Sequence, residues 1–151
     1  MQSTLHGTEL KFYREDLLVR TESKQQMINV TREFSLRVAR SGIQNGFAGL
    51  HSQHTTAVLL VNEWQGALSE DIAAFLGNVV PEDLTYKHND PRFSDCDRSN
   101  ATSHLRSLFF SNGVLLPVTD GNLVLGRFQN VILVELDGPR DRTLKLHIMG
   151  G

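Results

Sequence analysis

Three histidines that lie far apart in the sequence are the first candidates for chemistry: His54, His88 and His104. Each falls in a different predicted element, so the fold could bring the three rings together. Three neutral imidazoles with one open position form the ligand set of catalytic zinc sites, and we therefore predict a divalent metal site here. Sequence spacing does not establish that the rings meet, and no HExxH or paired CxxC motif is present. The competing interpretation is that each histidine is an ordinary residue of a strand end, a loop or a helix.

His88 is also a candidate for proton transfer. Asp90 follows it by two residues, and a carboxylate can orient an imidazole and raise its basicity. We therefore predict His88 as a general acid or base and Asp90 as its catalytic partner. Both lie in the polar segment 81–99, and a connection of that length in a compact domain is usually functional or disordered. A solvated loop is the competing interpretation.

Further polar candidates stand near the C-terminal strands. Glu135 ends the apolar run 131–134, so its carboxylate lies either at the wet rim of a sheet or in a paired site. Arg140, Arg142 and Lys145 form a basic cluster that could bind a phosphate, although a solvated charged turn would look the same. Asn100 stands four residues before His104, a spacing that puts both on one face if they are helical.

The composition of the chain limits the classes of partner and the cellular compartment that we expect. Fifteen Lys and Arg against seventeen Asp and Glu give a net charge of −2, so we predict no nucleic-acid partner. The longest apolar runs are too short to cross a bilayer, so we predict no membrane association. The single cysteine, Cys96, excludes an intrachain disulfide and suits a reducing compartment, so we predict a cytoplasmic protein. Cys96 lies between Asp95 and Asp97, whose charges disfavour the thiolate, and is predicted to be a bystander.

The candidate residues must be positioned by helices and strands, which follow one another along the chain without a linker or a repeat. The pattern predicts helices at 31–42, 67–79 and 103–110, and buried strands at 57–61 and 131–136. A last strand at 143–149 has one apolar and one polar face. Asp120-Gly121 predicts a hairpin between 114–118 and 123–125. The expected fold class is α+β, with a mostly antiparallel sheet packed against helices in a single compact domain spanning residues 1–151.

A series of short motifs runs in order along about two-thirds of the chain. It begins with QHTTA at 53–57 and Asn62-Glu63, and ends with ELDGPR at 135–140. The motifs between them are Val80-Pro81, YKHND at 86–90, Asn100 with His104-Leu105, LPV at 116–118, Asp120-Gly121, Leu125-Gly126 and Phe128-Gln129. Together they resemble the YjbQ-like family, whose usual label is secondary thiamine-phosphate synthase.

The resemblance implies a YjbQ-like fold, assembly as a homotrimer and a polar pocket that uses His54, His88 and His104. It also implies a weak thiamine-phosphate synthase activity, a transferase reaction that joins a pyrimidine diphosphate to a thiazole phosphate and releases pyrophosphate. The expected ligand is therefore a small phosphorylated metabolite. The residues predicted to bind it are Asn62, Glu63, Asn100, Glu135 and Arg140. Phe128 departs from the family pattern, which usually has Trp at this position.

The implied chemistry and the ligand set point to different metals. Diphosphate chemistry suits Mg²⁺, whereas three histidines suit zinc, so zinc is the preferred prediction. His54 and Glu63 are nine residues apart, roughly 30 Å along a straight strand, so a site that uses both should lie between subunits. A non-catalytic trimeric module that binds a metal or a metabolite is the alternative to an enzyme.

Overall fold

The computed structural model describes residues 9–151, which form two antiparallel sheets and three α-helices. In chain order the elements are β1 (Lys11–Arg20), β2 (Gln26–Asn29), α1 (Thr31–Ser41), β3 (Gly46–Ser52), β4 (Ala57–Asn62), α2 (Gly66–Val79), a 3₁₀ helix (Lys87–Asn89), α3 (Ala101–Ser107), β5 (Gly113–Thr119), β6 (Asn122–Leu123), β7 (Asn130–Glu135) and β8 (Asp141–Gly150). The strand orders are β1-β8-β3-β5-β6 and β2-β7-β4. The α+β prediction is confirmed, with two sheets in place of one.

The larger sheet is organised around β8, which pairs with β1 on one side and β3 on the other. Leu144, Leu146 and Ile148 alternate along β8 and are buried on the inner face. The alternation follows the two-residue period of a strand, in which successive side chains point to opposite faces. The outer face of this sheet is solvent-exposed and carries several large apolar side chains, considered below.

The smaller sheet lies between the main core and helix α2, so its central strands are apolar on both faces. Leu59 and Leu133 pack in the main core with β8 and α1, whereas Val58 and Val134 pack in a second cluster with Leu76 of α2 and others. Burial on both faces explains the continuous apolar runs of β4 and β7, as predicted.

Local side-chain chemistry sets the helix boundaries. The left-handed Gly42 (φ 72°) follows α1, and the Gln65 side chain caps α2 by accepting a hydrogen bond from the Leu68 backbone N–H. Helix α3 begins at Ala101, two residues earlier than predicted, and its first N–H donates to Asn89 Oδ1. No helix within residues 9–151 combines the length and the hydrophobicity needed to span a bilayer.

The predicted hairpin turn is confirmed by its backbone angles. Asp120 and Gly121 have φ values of 49° and 73°, and β5 and β6 pair directly on either side of them. Positive φ at both central residues defines the turn that suits the right-handed twist of a two-residue hairpin.

Candidate functional site

The three predicted histidines line one pocket of about 370 Å³, called here the anion pocket. It lies where the segment before β4, the 3₁₀ helix, α3 and the β7–β8 connection meet. Its lining residues are Gln53, His54, Thr55, Thr56, His88, Cys96, Arg98, Asn100, His104, Asp137, Arg140 and Arg142. The structure therefore brings His54, His88 and His104 together in one pocket.

Two of the histidines are in direct contact. The rings of His88 and His104 pack edge to face, with centroids 5.0 Å apart and an interplanar angle of 85°. The hydrogen bond from the Ala101 N–H to Asn89 Oδ1, 2.9 Å long, ties the 3₁₀ helix that carries His88 to the start of α3. Burial lowers the pKa of His104, and the like charge of a protonated His88 lowers it further. His104 is therefore a neutral imidazole at neutral pH.

His88 is oriented by Asn100. Nε2 of His88 lies 3.2 Å from Asn100 Oδ1, while Asn100 Nδ2 donates to Asp137 Oδ2 at 3.0 Å. Because an amide oxygen only accepts, Nε2 of His88 carries the hydrogen and Nδ1 keeps the free lone pair. Asn100 is 4% exposed and its amide is used by these two contacts, so it is a positioning residue rather than a direct substrate ligand.

The prediction that Asp90 orients His88 is wrong. Both carboxylate oxygens of Asp90 accept hydrogen bonds from the side chain of Arg92, the shortest being 2.6 Å, and Oδ1 also accepts from the Arg92 backbone N–H. These hydrogen bonds lower the pKa of Asp90. Asp90 does not line the pocket, because the turn after the 3₁₀ helix directs its side chain to Arg92.

His54 is held by the backbone of β8. Its Nε2 accepts a 3.1 Å hydrogen bond from the Thr143 N–H, which leaves the ring hydrogen on Nδ1. Burial lowers the pKa of His54, and the nearby charge of Arg142 lowers it further, so the ring is neutral and its single lone pair is already used. His54 therefore lines the pocket as an Nδ1–H donor.

This tautomer does not fit the predicted three-histidine zinc site. Coordination through Nδ1 would move the hydrogen of His54 to Nε2, where it would meet the Thr143 N–H, and two donors would then face each other. Within residues 9–151, no three His, Cys, Asp or Glu side chains are grouped to hold a metal ion. His54 therefore does not fit as a metal ligand in this conformation.

Glu135 was predicted to bind substrate, but the structure places it in a buried ion pair with Arg142. It is fully buried, its Oε2 accepts hydrogen bonds from Arg142 Nε at 2.7 Å and from Thr21 Oγ1 at 2.9 Å, and its Oε1 accepts the Leu136 and Asp137 backbone N–H groups. Burial raises the pKa of Glu135, but the hydrogen bonds from Arg142 and the backbone outweigh it, and the net shift is downward. Glu135 therefore acts through Arg142, which does line the pocket.

Two further arginines face the pocket and share one carboxylate. Arg140 Nη2 lies 3.3 Å and Arg98 Nε 3.5 Å from Asp137 Oδ2. Arg140 was predicted to bind substrate and does line the pocket. Asp137, which belongs to the ELDGPR motif but was given no role, and Arg98, which was missed, line it as well. The feature of the sequence that could have indicated Arg98 as a site residue is its position two residues before Asn100. Cys96, predicted as a bystander, also lines the pocket, with its Sγ 3.6 Å from Asn100 Oδ1.

Asn62 and Glu63 do not reach the pocket. Both are exposed at the end of β4 farthest from His54, and Asn62 Oδ1 accepts the Glu63 backbone N–H at 2.8 Å. β4, which separates them from the pocket, spans Ala57–Asn62 and is by itself roughly 17 Å long at about 3.3 Å per residue. Neither can bind the ligand of this pocket within one subunit, so the intersubunit site predicted for Glu63 stays a prediction.

Comparison with known proteins places the chain in a family. The model of the family described as UPF0047 protein YjbQ-like matches residues 15–151. The chain belongs to this family. A UPF0047 protein of Methanothermobacter thermautotrophicus is 33% identical over 144 residues, which cover 95% of this chain and 96% of that protein. The Bacillus subtilis UPF0047 protein YugU is 30% identical over 135 residues, or 89% and 97% of the two chains.

Solved structures agree with the fold of this UPF0047 protein. A Sulfolobus solfataricus protein of unknown function superposes with a TM-score of 0.87 at 33% identity, covering 95% of this chain and 100% of that one. A hypothetical protein of Aeropyrum pernix gives a TM-score of 0.83 at 32% identity, covering 92% and 99%. These comparisons show the family to which the chain belongs and its fold.

Proposed function

We propose that this UPF0047 protein is a small enzyme whose anion pocket binds a phosphorylated metabolite. The observation that carries the proposal is the convergence of Arg98, Arg140 and Arg142 with three imidazoles on one pocket. Its volume, about 370 Å³, falls within the range of roughly 300–1,000 Å³ that is usual for small-molecule sites.

The charges of the pocket favour an anion. Three guanidinium groups face two carboxylates, because Glu135 is paired with Arg142 and Asp137 is shared by Arg98 and Arg140. One positive charge is left in excess when the histidines are neutral. Asp137 accepts from Asn100 and lies beside both Arg98 and Arg140, and a phosphate oxygen could accept from the two arginines in the same way.

The activity that resemblance to the family implies is a thiamine-phosphate synthase-like transfer, which joins a pyrimidine diphosphate to a thiazole phosphate. The thiazole nitrogen forms a bond to the methylene carbon of the pyrimidine while the bond from that carbon to the diphosphate oxygen breaks, and pyrophosphate leaves. Arg98 and Arg140 would stabilise the charge that develops on the departing pyrophosphate. His88 in its protonated form, with its Nε2–H held by Asn100, would hand a proton from Nδ1 to the leaving oxygen. The assignment keeps the predicted acid–base role of His88 and replaces Asp90 with Asn100 and Asp137.

A homotrimer is part of the proposal, and the outer face of the larger sheet supports it. Phe12, Met149 and Phe47 are consecutive cross-strand neighbours on β1, β8 and β3, and all three are exposed, as is Leu115 on β5. Contiguous exposed apolar side chains on a sheet are characteristic of a protein interface, and further copies of this chain are the proposed occupants. In such an assembly Glu63 of one subunit would approach the histidines of another.

The alternative is a non-catalytic module that binds a phosphorylated metabolite in the same pocket. The pairing of Asp90 with Arg92 favours this alternative, because the predicted carboxylate partner of His88 does not line the pocket. Binding without turnover distinguishes it from the enzyme.

The test combines binding with turnover. Methyl phosphate should bind the wild-type protein in isothermal titration calorimetry, and Arg98→Gln should weaken it about tenfold or more, since a hydrogen bond to a charged group contributes about 1.5–3 kcal/mol. Arg92→Gln removes an exposed arginine that does not line the pocket and should leave the affinity unchanged. No binding by the wild-type protein would refute the anion pocket.

Turnover is measured as pyrophosphate released from the pyrimidine diphosphate and the thiazole phosphate. His88→Gln should abolish release and keep methyl phosphate binding. Tight binding by the wild-type protein with no release above the uncatalysed rate would refute the transferase and favour the binding module. Sedimentation of the wild-type protein and of Phe12→Ser tests the homotrimer, because the substitution should lower the assembled fraction.

A further inference from the structure

A second cavity opens directly beside the anion pocket. It has a volume of about 580 Å³ and is called here the side chamber. His54, Thr55 and His104 line both cavities, so the two cavities adjoin at these residues. The remaining residues that line the side chamber are Val58, Ser107, Leu108, Phe110, Ser111 and Asn112.

The two parts differ in their chemistry. The anion pocket has three arginines and Asp137, whereas none of the described residues that line the side chamber is Lys, Arg, Asp or Glu. Its apolar surface comes from Val58, Leu108 and Phe110, and imidazole, hydroxyl and amide groups supply the rest. A chamber of this kind suits an uncharged body that is partly apolar, because a charged group there would lose water without gaining a partner.

Two of the three residues at the boundary between the cavities, His54 and His104, carry imidazole rings. His104 contributes to both cavities, and its ring packs against His88 on the anion-pocket side. Burial lowers the pKa of both His54 and His104, so the two imidazoles at this boundary are neutral. A flat, uncharged group can pack against such rings.

We propose that the side chamber holds the uncharged ring of a ligand whose phosphate group lies in the anion pocket. The natural ligand is then a phosphate or diphosphate ester of a ring-sized, uncharged group. The inference rests on the proposed function, because it assigns the second half of the same site. It adds a specificity determinant, Leu108, which is 77% exposed on the chamber wall and would be partly covered by the ring.

Two phosphate monoesters test the inference, since they share a head group and differ only in the body. Phenyl phosphate should bind the wild-type protein about tenfold or more tightly than methyl phosphate, because the ring would bury apolar area at about 25 cal/mol per Å². Leu108→Asn, which keeps the size and adds no charge, should reduce that ratio to about threefold or less. Its affinity for methyl phosphate should stay within about twofold of wild type.

Leu84→Asn is the matched control, because Leu84 is also an exposed leucine and lines neither cavity. It should leave the affinities for both esters unchanged. If both esters bind wild type equally, the inference is overturned and the anion pocket stands. A tighter binding of phenyl phosphate that Leu108→Asn does not reduce also overturns it, since the ring then lies elsewhere. If neither ester binds, the anion pocket fails and the inference fails with it.

Discussion

Replacement of Glu135 by glutamine should destabilise this protein more than any comparable change at its surface. Glu135 is fully buried, and the side chain of its partner, Arg142, is only 4% exposed. The two side chains connect the smaller sheet to the larger one, because Glu135 ends β7 and Arg142 lies near the start of β8. The substitution keeps the side-chain volume and removes the charge, which leaves the guanidinium of Arg142 buried without a counter-ion.

The expected cost follows from that uncompensated charge. Breaking a buried ion pair by removing one partner costs about 3–5 kcal/mol, a large part of the roughly 5–15 kcal/mol that stabilises a typical domain. At a urea dependence of about 2 kcal/mol per M, a loss of about 3 kcal/mol lowers the unfolding midpoint by about 1.5 M. Thr56 Oγ1 remains bonded to Arg142 Nη2 at 3.1 Å but cannot supply the missing charge.

The assay is urea unfolding at neutral pH, with every variant at the same protein concentration, because assembly would contribute to the apparent stability. Asp141→Asn is the matched control: it removes a carboxylate paired with Arg20 where both side chains are at least 75% exposed, and its midpoint should stay near that of wild type. The double variant Glu135→Leu with Arg142→Met should recover part of the loss, since neither charge is then buried. A midpoint for Glu135→Gln within about 0.3 M of wild type would refute the reasoning.

Other features of the chain give three further predictions. The pKa of Glu135 is lower in the folded chain than in the unfolded one, so the contribution of Glu135 to stability is complete above the unfolded value of about 4.3 and is lost as the pH falls through the folded value. At pH values below about 5 the urea midpoint of the wild-type protein should therefore fall, and that of Glu135→Gln should fall less steeply. Gly121→Ala should lower the melting temperature, because an alanine at a φ of 73° costs about 1–2 kcal/mol. Gly77→Ala lies within α2, where a new Cβ meets no atom within 4 Å, and should raise the melting temperature by the equivalent of about 0.5–1 kcal/mol. Equal shifts in the two variants would contradict both expectations. In an NMR titration His104 should titrate below the ordinary value of about 6.5, and His88→Gln should raise its pKa by removing a like charge, so an unchanged value in the variant would show that the two rings are not coupled.

Much of the architecture could be predicted from local patterns. The apolar runs of β4 and β7 predicted strands buried on both faces, and the strands lie between the main core and α2. The Asp120-Gly121 turn was predictable because few residue pairs accept positive φ at both positions. The division of the strands into two sheets was not predictable, since pairing between strands far apart in sequence leaves no short-range signal in either strand.

The candidate site was predictable in its residue types and less so in its contacts. His54, His88, His104, Asn100 and Arg140 were identified and do line one pocket. The hydrogen-bond partner of His88 was predicted wrongly, because Asp90, its neighbour in the sequence, was assumed to be its neighbour in space. The chain turns after the 3₁₀ helix, and Asn100, twelve residues beyond His88, takes that position instead.

The sequence by itself therefore determined the strand and helix periods, the turn at Asp120-Gly121 and the family to which the chain belongs. Only the tertiary structure decided which lone pairs and charges remain available. Thr143 uses the lone pair of His54, and Arg142 uses the charge of Glu135. The physical reason is that hydrogen bonds and ion pairs saturate: once the fold brings a partner from another strand, the group is no longer free to bind a metal or a substrate.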